Sequence, residues 1–136
     1  MVKEAGAFTT SDERERDPLS SKVLAAAIEV HRVLGPGLLD SAYEECLCWE
    51  LSRAGLTSER QVPLPVRYND VRLDLGYRID VVVESDLILE LKTVDALLPI
   101  HEAQLLTYLR LSGMKKGLLL NFNASVLRTG IKRMVL

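Results

Sequence analysis

Apolar positions recur along this chain with two different periods, and the change of period divides it into elements. From Ser20 or Ser21, read as N-caps, Val23, Leu24, Ala27, Ile28, Val30, His31 and Leu34 fall at helical spacing until Gly35-Pro36-Gly37 stops the segment. Leu39, Tyr43, Cys46, Leu47, Glu50, Leu51 and Ala54 mark a second amphipathic helix, closed by Gly55. Pro99 suits the first turn of a third, which runs to about Ser112 and ends at Gly113.

Between the second and third helices the period falls to two. Val62, Leu64, Val66 and Tyr68 predict a strand in which Pro63 and Pro65 suit an edge or irregular position. Asn69-Asp70 is a tight-turn pair into Val71–Leu75, and Gly76 marks a bend before the strand continues to Asp80. Together these runs predict a three-stranded antiparallel meander. After the third helix, Lys116 to Phe122 holds the unbroken run Leu118-Leu119-Leu120, typical of a central or parallel strand. Ile131, Arg133 and Val135 predict a last edge strand.

The stretch from Tyr77 to Val94 reads as a β-hairpin that carries chemistry. Tyr77, Ile79, Val81 and Val83 alternate with Arg78, Asp80, Val82 and Glu84, the pattern of one buried face from which Asp80 points away. In Leu87–Lys92 the apolar set is Leu87, Leu89 and Leu91, which leaves Glu90 and Lys92 on the other side, about 6.6 Å apart along the strand. The turn decides whether these groups meet, because a slip of one residue changes which side chains oppose. A three-residue loop, Glu84-Ser85-Asp86, pairs Val83 with Leu87 and so Asp80 with Glu90; a two-residue loop sets Asp80 opposite Leu91. The three-residue loop is the expectation.

Two carboxylates so placed have Cβ atoms about 4.5–5.5 Å apart and oppose folding. A divalent cation compensates, since Mg²⁺ takes one or two protein carboxylates together with substrate phosphate. Lys92, beside the pair, can hold an attacking water or neutralise charge on a phosphate. The combination suits hydrolysis of a phosphodiester.

Composition narrows the setting. With 136 residues, 48% of them hydrophobic, the chain is long enough for one domain with a core and too short for two ordinary ones. Residues 1–18 contain little to bury and read as a mobile tail, leaving 19–136 as a single domain. Cys46 and Cys48 form no CxxC or Cys/His cluster and read as small buried or half-buried thiols in a reducing cytoplasm. No apolar run approaches a membrane span and no secretion signal opens the chain, so a soluble, cytoplasmic protein is expected. The net charge of −2 argues against gripping nucleic acid by bulk electrostatics. Yet after Glu102 there is no acid, while Arg110, Lys115, Lys116, Arg128, Lys132 and Arg133 form a basic side able to meet a phosphate backbone.

Asp80 followed by Glu90-Leu91-Lys92 resembles the signature of the PD-(D/E)xK nuclease superfamily. Leu34-Gly35-Pro36 before Gly37-Leu38-Leu39-Asp40-Ser41-Ala42-Tyr43 is similar to the name-giving motif of one of its branches, the GxxExxY protein family. His101-Glu102-Ala103-Gln104 with Thr107-Tyr108-Leu109, and Gly117-Leu118-Leu119-Leu120-Asn121-Phe122, resemble later blocks, so the resemblance runs from about Val23 to Val135. It implies a restriction-endonuclease-like α/β core: a mixed central sheet, antiparallel meander plus a further strand, flanked by helices. Asp40 stands where the family motif has Glu, and Ile79 where the signature has Pro.

The resemblance implies a nuclease in which Asp80 and Glu90 bind Mg²⁺ or Mn²⁺, with the Leu91 carbonyl and Asp40 as further ligands and Lys92 positioning water. An acid in the first turn of a helix is otherwise a dipole partner or cap, and Glu44, one turn on, is the substitute for Asp40. Gln104, sharing a helix stripe with His101 and Tyr108, belongs either to a polar seam or to the orientation of Lys92. Tyr108, Tyr43 and His31 are candidate substrate contacts, each with a structural reading beside it. The expected partner is nucleic acid, DNA first, with no membrane and with a homodimer allowed. Two rival readings are a catalytically weak or inactive nuclease-fold module that binds nucleic acid or protein, and a hydrolase of small phosphoesters.

Overall fold

A computed structural model of the chain describes residues 8–10 and 17–136. In chain order the elements are β1 (Phe8–Thr10), α1 (Pro18–Leu34), α2 (Asp40–Arg53), β2 (Ser58–Pro63), β3 (Val66–Tyr68), β4 (Val71–Leu73), β5 (Arg78–Val83), β6 (Leu87–Lys92), α3 (Pro99–Ser112), β7 (Lys116–Asn121), a 3₁₀ turn (Leu127–Gly130) and β8 (Ile131–Val135). The sheet order is β1-β8-β7-β6-β5-β2, and β3-β4 form a separate two-stranded ribbon. All pairings are antiparallel except β6 with β7, joined by the α3 crossover. This is the mixed-sheet, helix-flanked arrangement of the restriction-endonuclease-like core.

Both faces of the sheet are covered. Val81 and Val83 of β5, Leu87, Leu89 and Leu91 of β6, and Leu118 and Leu120 of β7 pack with Val23, Leu24, Ala27 and Val30 of α1 and Tyr43, Leu47 and Leu51 of α2. On the opposite face Val82, Ile88 and Leu119 meet Leu105, Leu106, Tyr108 and Leu109 of α3. The single buried face expected for the hairpin is therefore two. Val82 and Ile88, assigned to the polar side by alternation, are buried under α3.

Local signals account for most element ends, with four corrections. The N-cap of α1 is Asp17, not a serine: its Oδ1 accepts the Ser20 amide at 2.6 Å, and Pro18 opens the helix. Within the segment expected to be a tail, Phe8–Thr10 pairs with Arg133–Val135, so β8 is not the sheet edge; residues 1–7 and 11–16 lie outside the described residues. The strand expected through Gln61–Tyr68 is broken at Leu64-Pro65, since Pro65 can donate nothing to a ladder. Consequently β2 pairs directly with β5, and β3-β4 is an excursion between them rather than part of a meander. Among the described residues no helix is long and apolar enough to cross a membrane.

Candidate active site

The register of β5 and β6 brings two acids together. The loop is Glu84-Ser85-Asp86, with Glu84 and Ser85 at φ of 54° and 53°, and it pairs Val83 with Leu87, Val82 with Ile88 and Val81 with Leu89. One step further Asp80 and Glu90 face each other, and there the backbone ladder gives way to side chains. The Asp80 amide donates to Glu90 Oε2 at 2.9 Å, and the Leu91 amide donates to Asp80 Oδ2 at 2.9 Å. On its other edge Asp80 is passed over as well: Arg60 pairs with Val81 and Val62 with Ile79, while Gln61 between them takes φ of 51°. The sheet opens around Asp80 on both sides.

Each acid thus spends one carboxylate oxygen on a backbone amide, and the other takes no hydrogen bond among the described residues. Glu90 is only 3% exposed. Burial, then the charge of Asp80, pushes its carboxyl up to about 7. Burial also raises Asp80, with the charge of Glu44 adding to it and the Leu91 amide opposing it. Two buried acids whose charged forms are disfavoured are a pair that a hard, doubly charged ion can discharge.

Lys92 lies at the end of β6, where its Nζ donates to Gln104 Oε1 at 2.8 Å, and Gln104 Nε2 donates to the Tyr108 hydroxyl at 3.3 Å. Helix α3 therefore aims the ammonium. Tyr108 is buried among the α3 core residues and meets Tyr77 edge-on at 6.4 Å between centroids. At Leu91 the backbone group engaged with the acids is the amide.

The α2 side of the site departs from expectation. Asp40 is the first residue of α2, and its Oδ1 accepts a hydrogen bond from Thr93 Oγ1, a residue that sequence reasoning missed although it directly follows Glu-x-Lys. Glu44 is buried and occupied: Arg60 reaches its Oε2 through Nε at 3.0 Å and Nη2 at 2.9 Å, and Gln61 Nε2 reaches its Oε1 at 2.8 Å. Among the described residues no three His, Cys, Asp or Glu side chains are gathered to enclose a metal. The structure brings Asp80, Glu90, Lys92 and Gln104 together and ties Asp40 to Thr93.

Two expected substrate contacts, Tyr43 and His31, are buried and have partners within the fold. Tyr43 has no exposed surface; its ring stacks on Phe122 at 4.6 Å, and its hydroxyl donates to the Gly35 carbonyl at 2.5 Å and accepts the Leu38 amide at 3.1 Å. It holds the Gly-Pro-Gly loop to the core. His31 is buried, with Nε2 2.8 Å from the Ala124 carbonyl, so it pins α1 to the turn after β7.

The donor set fits a hard divalent cation: two carboxylates, each with an oxygen to spare, beside an ammonium held by an amide. A family model described as the PD-(D/E)XK nuclease superfamily matches residues 17–134. No curated protein and no solved structure matches the chain.

Proposed function

The chain belongs to the PD-(D/E)XK nuclease superfamily, and from that premise we propose that it is a metal-dependent nuclease that hydrolyses phosphodiester bonds in DNA, with Mg²⁺ or Mn²⁺ held by Asp80 and Glu90. The reading is carried by one observation, the pair of amide–carboxylate bonds, from the Asp80 amide to Glu90 and from the Leu91 amide to Asp80, that hold these two acids together beside Lys92. The bound ion would offset phosphate charge and acidify a water. Asp80 and Glu90 each keep one oxygen for it. Lys92, aimed by Gln104, donates to the attacking water or to a non-bridging phosphate oxygen. The motif Gly37–Tyr43 supports the GxxExxY branch, with Asp40 released from Thr93 as a further oxygen donor.

The test is cleavage of supercoiled plasmid and of single-stranded DNA with Mg²⁺, with Mn²⁺ and with EDTA, for wild type, Glu90→Gln and Lys92→Met. Cleavage that needs the cation and is lost in both variants is expected. Equal cleavage by the variants would overturn the assignment. The bond from Thr93 to Asp40 favours a second reading, a module of this fold that binds nucleic acid and cleaves it weakly. Cation-independent binding to DNA without cleavage under any of these conditions would select it.

A further inference from the structure

The β3-β4 ribbon stands outside the main sheet, and among the described residues little else covers it. Val66 pairs with Leu73, Arg67 with Arg72 and Tyr68 with Val71, around a turn in which Asn69 has φ of 53°. Its neck is closed where the Leu64 amide donates to the Tyr77 carbonyl at 2.9 Å, next to the Pro63–Arg78 pair. Beyond that neck only Pro65, Val66 and Leu73 are partly covered, while Tyr68 is 68% and Leu75 57% exposed. An isolated two-stranded hairpin is marginal in water, and apolar surface left open on one calls for a partner.

Its charge identifies the partner. Arg67 and Arg72 sit directly across from each other on one face, an arrangement that like charges disfavour. Both are exposed, and among the described residues neither has a hydrogen-bond or ion-pair partner. Asp70 in the turn and Asp74 after β4 are close in sequence, yet neither bonds to these guanidinium groups. Phosphates of a nucleic-acid backbone accept from both forks and remove the repulsion. The opposite face carries Tyr68 and Val71, suited to sugar edges. The ribbon runs through Tyr77 and Arg78 directly into β5, the strand of Asp80.

We propose that the β3-β4 ribbon is a wing that lies in the major groove of duplex DNA beside the bond to be cut, with Arg67 and Arg72 on backbone phosphates and Tyr68 against the opposite wall. A two-stranded ribbon matches a groove about 12 Å wide. The choice of DNA rests on the nuclease reading; the wing itself rests on the exposed, unpaired arginines.

The experiment is fluorescence anisotropy of a short labelled duplex in EDTA, titrated over a series of salt concentrations, for wild type, Arg67→Gln/Arg72→Gln and Arg67→Lys/Arg72→Lys, each checked for native circular dichroism. The glutamine pair should raise Kd about tenfold or more and lower the slope of log Kd against log salt by about 2, while the lysine pair keeps the slope. Wild-type affinity and slope in the glutamine pair would overturn the wing, as would a wild type that shows no salt-dependent affinity for duplex. Because anisotropy measures binding without cleavage, a failed cleavage test for Glu90→Gln does not alter what it reads.

Discussion

Lys92 Nζ stands 2.8 Å from Gln104 Oε1, so the ammonium at the end of β6 takes its direction from α3 across the parallel crossover. Gln104→Leu removes that acceptor while leaving the acids in place. The expected result is a fall in kcat of about tenfold to a hundredfold with Mn²⁺ affinity by calorimetry unchanged, the mark of a positioning residue. An unaltered kcat would mean that something else aims Lys92.

On the proposed reading, proton and cation compete for Glu90. Its carboxyl, raised by burial and by Asp80 to about 7, is protonated in the folded, metal-free protein at pH 5 to 6. Mn²⁺ binding must then release a proton, so affinity should climb about tenfold per pH unit below 7 and level off above it. For the metal-free protein the sign is the reverse of the usual acid case. The folded group holds its proton more tightly than the unfolded one, so its contribution to stability is complete below about 4.5 and declines as pH rises from there to 7. A melting midpoint that rises over that interval would contradict this.

Asp80 and Glu90 also serve the sheet, because their oxygens replace the missing rungs for the Leu91 and Asp80 amides. Asp80→Ala strands a buried N–H and should cost about 1–3 kcal/mol in chemical denaturation. Asp80→Asn keeps an acceptor and should cost clearly less, while both variants lose the cation. Equal destabilisation by the two would show that the Leu91 bond contributes nothing.

Asp17 joins the start of α1 to the sheet. Its Oδ1 caps the helix, and its Oδ2 accepts from Lys116 at 2.6 Å. Burial pushes its carboxyl up, but the hydrogen bonds from Lys116 and Ser20 outweigh this and hold it at about 2. The stabilisation is therefore complete above the ordinary carboxylate value and disappears as pH falls from about 4 to 2. Asp17→Ala should cost roughly 1–2 kcal/mol at pH 7 and much less at pH 2, read by denaturant titration at both values.

The site was readable where counting suffices. Val83, Leu87 and three loop residues fix the register, and the register fixes Asp80 opposite Glu90. The α3 stripe was equally legible, since Gln104 and Tyr108 are one turn apart and do touch. What escaped depends on long-range packing. Val81-Val82-Val83 and Leu87-Ile88-Leu89 are unbroken apolar runs, the sign of a strand covered on both sides, but the alternation of their neighbours masks them. Nothing local tells Thr93 that Asp40 will lie within reach, or Glu44 that Arg60 and Gln61 will occupy it. The ribbon was hidden by its two prolines, which read as one irregular strand instead of an exit from the sheet.

Because β5 parts from both neighbours at Asp80, this acid and its opposite number are structural rungs, whatever chemistry they carry. A descendant of this protein with no use for their chemistry would still be selected to keep them, or their amides, merely to stay folded. Lys92, which fills no gap in the backbone, would be the first of the set to drift.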